Sequence, residues 1–436
     1  MQMSSVEFAG FARRELLRAG GFAALGALLA PQLAWAGDAT RDPMRNVAEF
    51  IGRWVGPGKF PGVVASFGLP GRPSQFTVRG SESFTDSDPM TPDSLFRVYS
   101  MTKPITGMAA MMLIDEGKLG LDQPLADILP KFAQMQVQVT PDGSITELKP
   151  ARNAITIRNL LTHTSGLGYT IVQKGPIKKA YEDAGLVAGQ ISRIPIPGLE
   201  RGAAVPSLAL FADRLATMPL VYEPGTKWSY SVGLDLMGRV IEVVSGMPFD
   251  LFLKRRIFEP CGMTSSWFQV PRGEAHRLTT NFGALGSTLI PIDKGDDSIF
   301  LDKPAFPFGG SGLVCSPRDY DCFLTMLADN GHHGRERVMS ELAVRVGTGN
   351  LLPDGVAGPA MMASASQFGA GGRVGIGPEN GIYGWAGAAG TVGTVDMRRG
   401  IRSSIFVQFM PPNALGLLPE YQRALQADVQ ELATAA

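Results

Sequence analysis

The sequence predicts an α+β fold: an antiparallel sheet flanked by helices, built from both ends of the chain, with a mainly helical region inserted between. Three observations predict it. Alternating, β-branched text with turn signals stands near the start, at 62–68 and 75–80, and again near the end, from Gly390 to Met410. From about 120 to 280 helical segments and long loops dominate. The chain shows no internal repeat and no low-complexity linker, so the two strand regions are assigned to one sheet. The α/β part is placed at about 42–118 and 285–436, and the helical part at about 119–284.

The elements follow in order. Asp42 to Val55 carries Val47, Phe50, Ile51 and Trp54 on one side, as an amphipathic helix does. Two strands come next around a Gly/Pro turn. A helix starts near Ser100 and runs through Met108, Met111, Met112 and Ile114 to Gly117; Pro104 fits its first turn, where a missing N–H leaves nothing unpaired. Ile155–Leu161 leads into Thr162-His163-Thr164-Ser165-Gly166, Leu234–Val244 is a helix ended by Ser245-Gly246, and Phe249–Phe258 is another. Strand-like Gly312–Cys315 precedes a helix from Pro317 to Asp329 that stops near Asn330-Gly331. Strands at 390–397 and 402–410 pair across Arg398–Ile401, and a helix from Pro419 to Leu432 closes the chain.

The 436 residues include 40 basic and 40 acidic side chains, so no net field favours nucleic acid or an anionic membrane. At 44% hydrophobic and 18% charged, the composition supports a large core. Residues 1–36 are expected to be an export signal: Arg13-Arg14, an apolar run from Gly20 to Leu33, then Ala34-Trp35-Ala36 before Gly37, in text similar to a twin-arginine signal. That run is short for a membrane span, and no later segment is long and apolar enough, so an exported bacterial protein, periplasmic or secreted, is expected. Cys261, Cys315 and Cys322 form no Cys-x-x-Cys, and His163, His276, His332 and His333 are scattered, so buried thiols and no metal or cofactor are expected.

Three motifs bear on chemistry. Ser100-Met101-Thr102-Lys103 puts a hydroxyl and an amine three residues apart, on one face of a helix. A neutral lysine there could take the serine's proton; alone, the pattern also describes a first-turn serine and a solvated lysine. Tyr230, in Pro224–Gly233, precedes a helix and could relay or accept that proton if lysine charge lowers its pKa; it is equally an ordinary loop aromatic. Tyr383–Gly390 is a glycine-rich strand entry whose backbone could approach a ligand and offer an oxyanion-hole N–H.

Together these segments resemble the serine β-lactamase-like hydrolases, closest to the family VIII carboxylesterases and their class C β-lactamase and DD-peptidase relatives. The matching text is Ser-Met-Thr-Lys at 100–103, Leu-Leu-Thr-His-Thr-Ser-Gly-Leu at 160–167 and Tyr-Glu-Pro-Gly-Thr-Lys-Trp-Ser-Tyr-Ser at 222–231. Phe-Gly-Gly-Ser-Gly-Leu at 308–313 and Trp-Ala-Gly-Ala-Ala-Gly-Thr at 385–391 complete it, in order over about 60–410. The resemblance implies a β-lactamase/transpeptidase-like fold, Ser100 as nucleophile, Lys103 as its base and Tyr230 sharing proton transfer. It implies an oxyanion hole from the Ser100 and Ala388 amides and no cofactor. His163 and Ser165 match a structural stretch and are given no catalytic role; they are expected to position the loop.

Two departures bear on substrate. The lactamases carry Asn where this chain has Val232, and Lys-Thr-Gly where it has Trp385-Ala386-Gly387. Loss of a cation and an amide weakens recognition of an anionic lactam, so Trp385, Gly387 and Val232 are expected to contact a neutral acyl group. No Gly-x-Ser-x-Gly elbow is present. The expectation is an esterase for small to medium acyl chains, its partner a small-molecule ester. Rivals on the same site are β-lactamase, D-amino-acid peptidase or amidase, and acyltransferase; a non-catalytic binding module is the rival of another class. Residues Tyr169 to Pro219 are expected to wall the site.

Overall fold

The computed structural model describes residues 44–56, 58–85, 88–194, 202–285, 288–359, 366–412 and 416–435. The expected export signal at 1–36 lies outside them. Among the described residues, no helix is long and apolar enough to cross a membrane.

One seven-stranded antiparallel sheet organises the chain. Its strands are β1 (Gly62–Gly68), β2 (Gln75–Gly80), β3 (Gln367–Phe368), β4 (Arg373–Val374), β5 (Ile382–Ala386), β6 (Val392–Asp396) and β7 (Ile401–Phe406). Their order is β3-β4-β5-β6-β7-β1-β2. The ends of the chain meet at β1 and β7, where Val64 pairs with Phe406 and Ser66 with Ser404. Every residue of β1 is buried, because both faces of the sheet are covered. Val63, Ala65 and Phe67 enter one core and Val64 the other, as a period of two requires.

The first core is closed by helices α1 (Arg45–Trp54) and α5 (Leu417–Ala435). The Asp428 carboxylate on α5 accepts the N–H groups of Asn46 at 2.9 Å and Val47 at 3.0 Å, donors that the first turn of α1 cannot satisfy itself. The second and larger core holds α2 (Thr102–Asp115), α3 (Gly233–Ser245) and α4 (Pro317–Ala328). Helix α2 is buried on all sides from Thr102 to Ile114, which explains why its apolar residues show no single stripe. A Cβ at Gly107 would stand 2.0 Å from the Ala370 carbonyl, so glycine there lets the 369–372 turn lie against α2. Helix α3 ends on Gly246 at φ +70°, the left-handed cap its Ser-Gly stop predicts.

Two readings need correction. The strand expected over 402–410 breaks after Phe406, and Phe409–Met410 leaves the sheet to pair in parallel with Phe282–Gly283. The cause is Gln408, whose side chain substitutes for a strand. Its Oε1 accepts the Arg97 N–H at 3.0 Å and its Nε2 donates to the Arg97 carbonyl at 3.1 Å. The stretch read as helices and loops also contains the strand pair 136–138 and 148–150, and Ser266–Trp267, which pairs with Val314–Cys315.

Arg97 also forms a fully buried ion pair with Asp293. Its guanidinium donates to Asp293 Oδ2 at 2.6 Å, the Thr279 carbonyl at 2.5 Å and Ser298 Oγ at 3.0 Å. Removing one partner of such a pair costs roughly 3–5 kcal/mol, because the other charge is left buried. This network ends three residues before Ser100 and anchors the segment that carries it.

Candidate active site

Ser100 lies in a single 3-10 turn, Tyr99–Met101, that feeds α2. The turn is held at several points. Met101 N–H donates to the Val98 carbonyl at 3.0 Å, Thr102 Oγ1 to the Tyr99 carbonyl at 2.6 Å, and Tyr320 OH to the Met101 carbonyl at 3.1 Å. Tyr99 adopts φ +42°, a left-handed conformation that a tyrosine holds only when its surroundings impose it. Between Ser94 and Ile114, Ser100 is the one residue that is not buried. A tightly fixed chain thus presents a single hydroxyl to the outside.

Two side chains meet that hydroxyl. Lys103 Nζ lies 3.2 Å from Ser100 Oγ, and Tyr230 OH donates to Oγ at 2.8 Å. The spacing of three along the chain delivers the lysine; the tyrosine arrives from the loop before α3. Lys103 is fully buried, and its amine donates to the Gly310 carbonyl at 2.7 Å and lies 4.6 Å from the centre of the Tyr230 ring. Gly310 is held in turn by Asp235 on α3, whose Oδ1 accepts its N–H at 2.8 Å. The Phe308–Leu313 segment therefore supplies a backbone acceptor for the lysine, a role its sequence does not disclose.

Tyr230 sits in an aromatic box. Its ring centre is 4.7 Å from that of His163, 5.6 Å from Tyr169, 5.8 Å from Trp385 and 6.1 Å from Trp228. Burial pushes the phenol up to about 12, against a partial pull from its bond to Ser100. The condition that lysine charge lowers it is therefore not met: desolvation of the phenolate is the largest cause acting on it. Tyr230 therefore stands as a protonated donor. Burial also raises the phenols of Tyr181, Tyr320, Tyr383 and Tyr421. A group raised in the native state contributes stability that is complete below its unfolded pKa, about 10 for tyrosine, and is lost as pH rises through the native value. Stability is thus expected to fall from about pH 10 upward. In a spectrophotometric titration these phenols should ionise only with unfolding; ionisation of Tyr230 in the folded protein near its ordinary value would contradict the geometry.

Trp385 is placed differently from expectation. Only 6% exposed, it donates its indole N–H to Tyr230 OH at 3.3 Å, so it touches the phenol that meets Ser100 rather than an open acyl pocket. Val232 is fully buried in the main core, and its N–H donates to the Gly168 carbonyl at 3.2 Å; its side chain packs the fold and offers no exposed surface for the acyl contact expected of it. Gly387 is the tight point of the strand turn. A Cβ there would stand 2.4 Å from the Val98 carbonyl, so glycine brings the turn against the Ser100 segment. Ala388 follows, half-buried, and among the described residues no hydrogen bond uses its N–H or that of Ser100.

The expected wall at 169–219 lies partly over this centre. Tyr169 OH donates to the Ala188 carbonyl at 3.2 Å, as does Ser311 Oγ at 3.2 Å, and Ile191 packs in one cluster with Tyr99, Ala388 and Ala389. Residues 195–201 lie outside the described ones. His163 is fully buried at φ +56°. Its Nε2 has no partner among the described residues, a state that costs roughly 1–3 kcal/mol for a buried polar atom. Among the described residues no group of three or more His, Cys, Asp or Glu could share a metal ion.

Comparison with known proteins agrees with this architecture. The Beta-lactamase family model matches residues 46–428. A protein of Mycobacterium tuberculosis is 35% identical over 266 residues, 61% of this chain and 62% of the relative, so the chain spans less than two thirds of that relative's length. The lovastatin esterase of Penicillium rubens is 32% identical over 312 residues, 69% of this chain and 71% of the relative. Among solved structures, EstCE1, a hydrolase with promiscuous acyltransferase activity, superposes with a TM-score of 0.71 at 23% identity, over 89% of this chain and 98% of its own, which establishes the shared fold.

Proposed function

The chain belongs to the Beta-lactamase family of serine hydrolases, and on that footing we propose that it is a carboxylesterase working through an acyl-enzyme on Ser100. One observation carries the proposal: the single partly exposed hydroxyl of a buried segment is met by an amine at 3.2 Å and a phenol at 2.8 Å, while the phenol is held by a neutral indole. An indole in that place offers no charge to an anionic lactam, and a neutral ester needs none.

In this reading Ser100 Oγ attacks the ester carbonyl and Lys103, as the neutral amine, takes its proton. The oxyanion is held by the Ser100 and Ala388 N–H groups, both without an internal acceptor among the described residues. Tyr230, protonated and already donating to Oγ, gives its proton to the departing alcohol and is reprotonated through Lys103. Water, activated by the same pair, then hydrolyses the acyl-enzyme. Export to the periplasm or medium is part of the same proposal, supported by the text of residues 1–36.

The test is hydrolysis of p-nitrophenyl acetate and butyrate beside a chromogenic cephalosporin, with a free alcohol added as a competing acceptor. The esters are expected to lead in kcat/KM by at least about 100-fold, with water the main acceptor. Cephalosporin turnover at or above ester turnover would make it a lactamase. Dominant transfer to the alcohol would make it an acyltransferase, and no labelling of Ser100 by a fluorophosphonate would make it a binding module.

A further inference from the structure

The Leu160–Leu167 segment has no part in the chemistry above, yet it holds a conspicuous side chain. Thr156 caps the short helix Ile157–Leu161, and the chain then turns through His163 in a left-handed conformation uncommon outside glycine. The buried ring makes two contacts with one residue: Ser231 N–H points at Nδ1 from 3.2 Å and Ser231 Oγ lies 3.0 Å from the same atom. A backbone N–H only donates, so Nδ1 carries the lone pair and the proton sits on Nε2. The His163 carbonyl in turn accepts the Ser229 N–H at 2.9 Å. One residue therefore grips the chain on both sides of Tyr230. Its ring lies 4.7 Å from the Tyr230 ring, with Trp228 and Phe368 edge-on to it at 5.9 Å and 5.4 Å.

We propose that His163 is a positioning residue for Tyr230: a neutral, Nε2-protonated ring whose Nδ1 and carbonyl lock residues 229–231 so that the phenol stays on Ser100 Oγ. The left-handed backbone and an Nε2 without a partner among the described residues are the cost of placing an acceptor at Nδ1. The inference rests on the Ser100–Lys103–Tyr230 reading above, but not on the identity of the substrate.

Asparagine places an acceptor near the Nδ1 position and tolerates positive φ, whereas phenylalanine keeps a ring and loses the acceptor. The rate of Ser100 labelling by a fluorophosphonate and the kcat for p-nitrophenyl butyrate are measured for H163N, H163F, Y230F and H163F/Y230F. H163F is expected to slow both by about 10-fold or more with KM within about 3-fold. H163N should recover to within about 3-fold of the parent. In the Y230F background H163F should cost less than about 2-fold, because residues that act through one group are not additive. Multiplicative losses, or H163N no better than H163F, would overturn the proposal. Should H163F fail to fold by near-ultraviolet circular dichroism, S231A, which strips one contact from Nδ1, must show the same coupling to Tyr230 on a smaller scale, and independence there overturns it equally. Normal labelling without ester turnover would instead sink the esterase reading and leave this test intact.

Discussion

Ser100→Ala is expected to reduce ester turnover by on the order of 10⁴ or more and to leave nothing for a fluorophosphonate to label. The bond-forming atom is gone, and no neighbour replaces it: apart from Ser100 itself, every residue from Ser94 to Ile114 is buried. The fold should tolerate the change. Ser100 is partly exposed, and what is lost is the acceptor of the Tyr230 hydroxyl at 2.8 Å and one neighbour of the Lys103 amine. The check is an intact-mass measurement after incubation with the inhibitor, beside kcat and the thermal midpoint. Turnover within about 10-fold of the parent, at unchanged fold, would show that the nucleophile lies elsewhere.

Lys103→Met is expected to have the next largest effect, lowering kcat by about 10³-fold with little change in KM. Methionine matches much of the lysine stem but cannot accept a proton. Arginine would fail as well, since a guanidinium does not deprotonate. The effect on stability should be small, because two terms oppose each other. Removing a buried amine relieves its desolvation, and the Gly310 carbonyl, now bonded at 2.7 Å, loses its partner, an effect of roughly 1–3 kcal/mol. Calorimetry together with the rate of Ser100 labelling separates the two effects. A variant that labels as fast as the parent would remove Lys103 from proton transfer and move the base to Tyr230.

The aromatic box explains why these effects should be confined to the rate. His163, Tyr169, Trp228 and Trp385 surround the Tyr230 ring within about 6 Å centre to centre. The phenol is thus positioned before any substrate arrives, and such preorganisation acts on the transition state. Trp385 illustrates the economy of the arrangement. One neutral N–H both fixes the Tyr230 oxygen and leaves the site without a cation at that point.

Periodicity and punctuation along the chain determined much of what was found. Strands Gly62–Gly68 and Gln75–Gly80, the stop of α3 at Gly246 and the start of α4 at Pro317 are local matters of alternation, left-handed glycine and capping, and they stand as the text predicts. The Ser100–Lys103 contact is also local, since three residues span one helical turn. Other features depend on groups distant in sequence. Tyr230 reaches Ser100 across 130 positions, and Gly310 meets Lys103 across 207. The protonated state of Tyr230 follows from its burial, the turning of Trp385 toward the phenol from the packing of β5, and the breaking of the last strand from the grip of Gln408 on Arg97. Burial and long-range hydrogen bonds come into being only when the chain has folded. The sequence by itself therefore marked Ser100, Lys103 and Tyr230 as candidates, and the tertiary structure decided how they meet and which way the Tyr230 and Trp385 donors point.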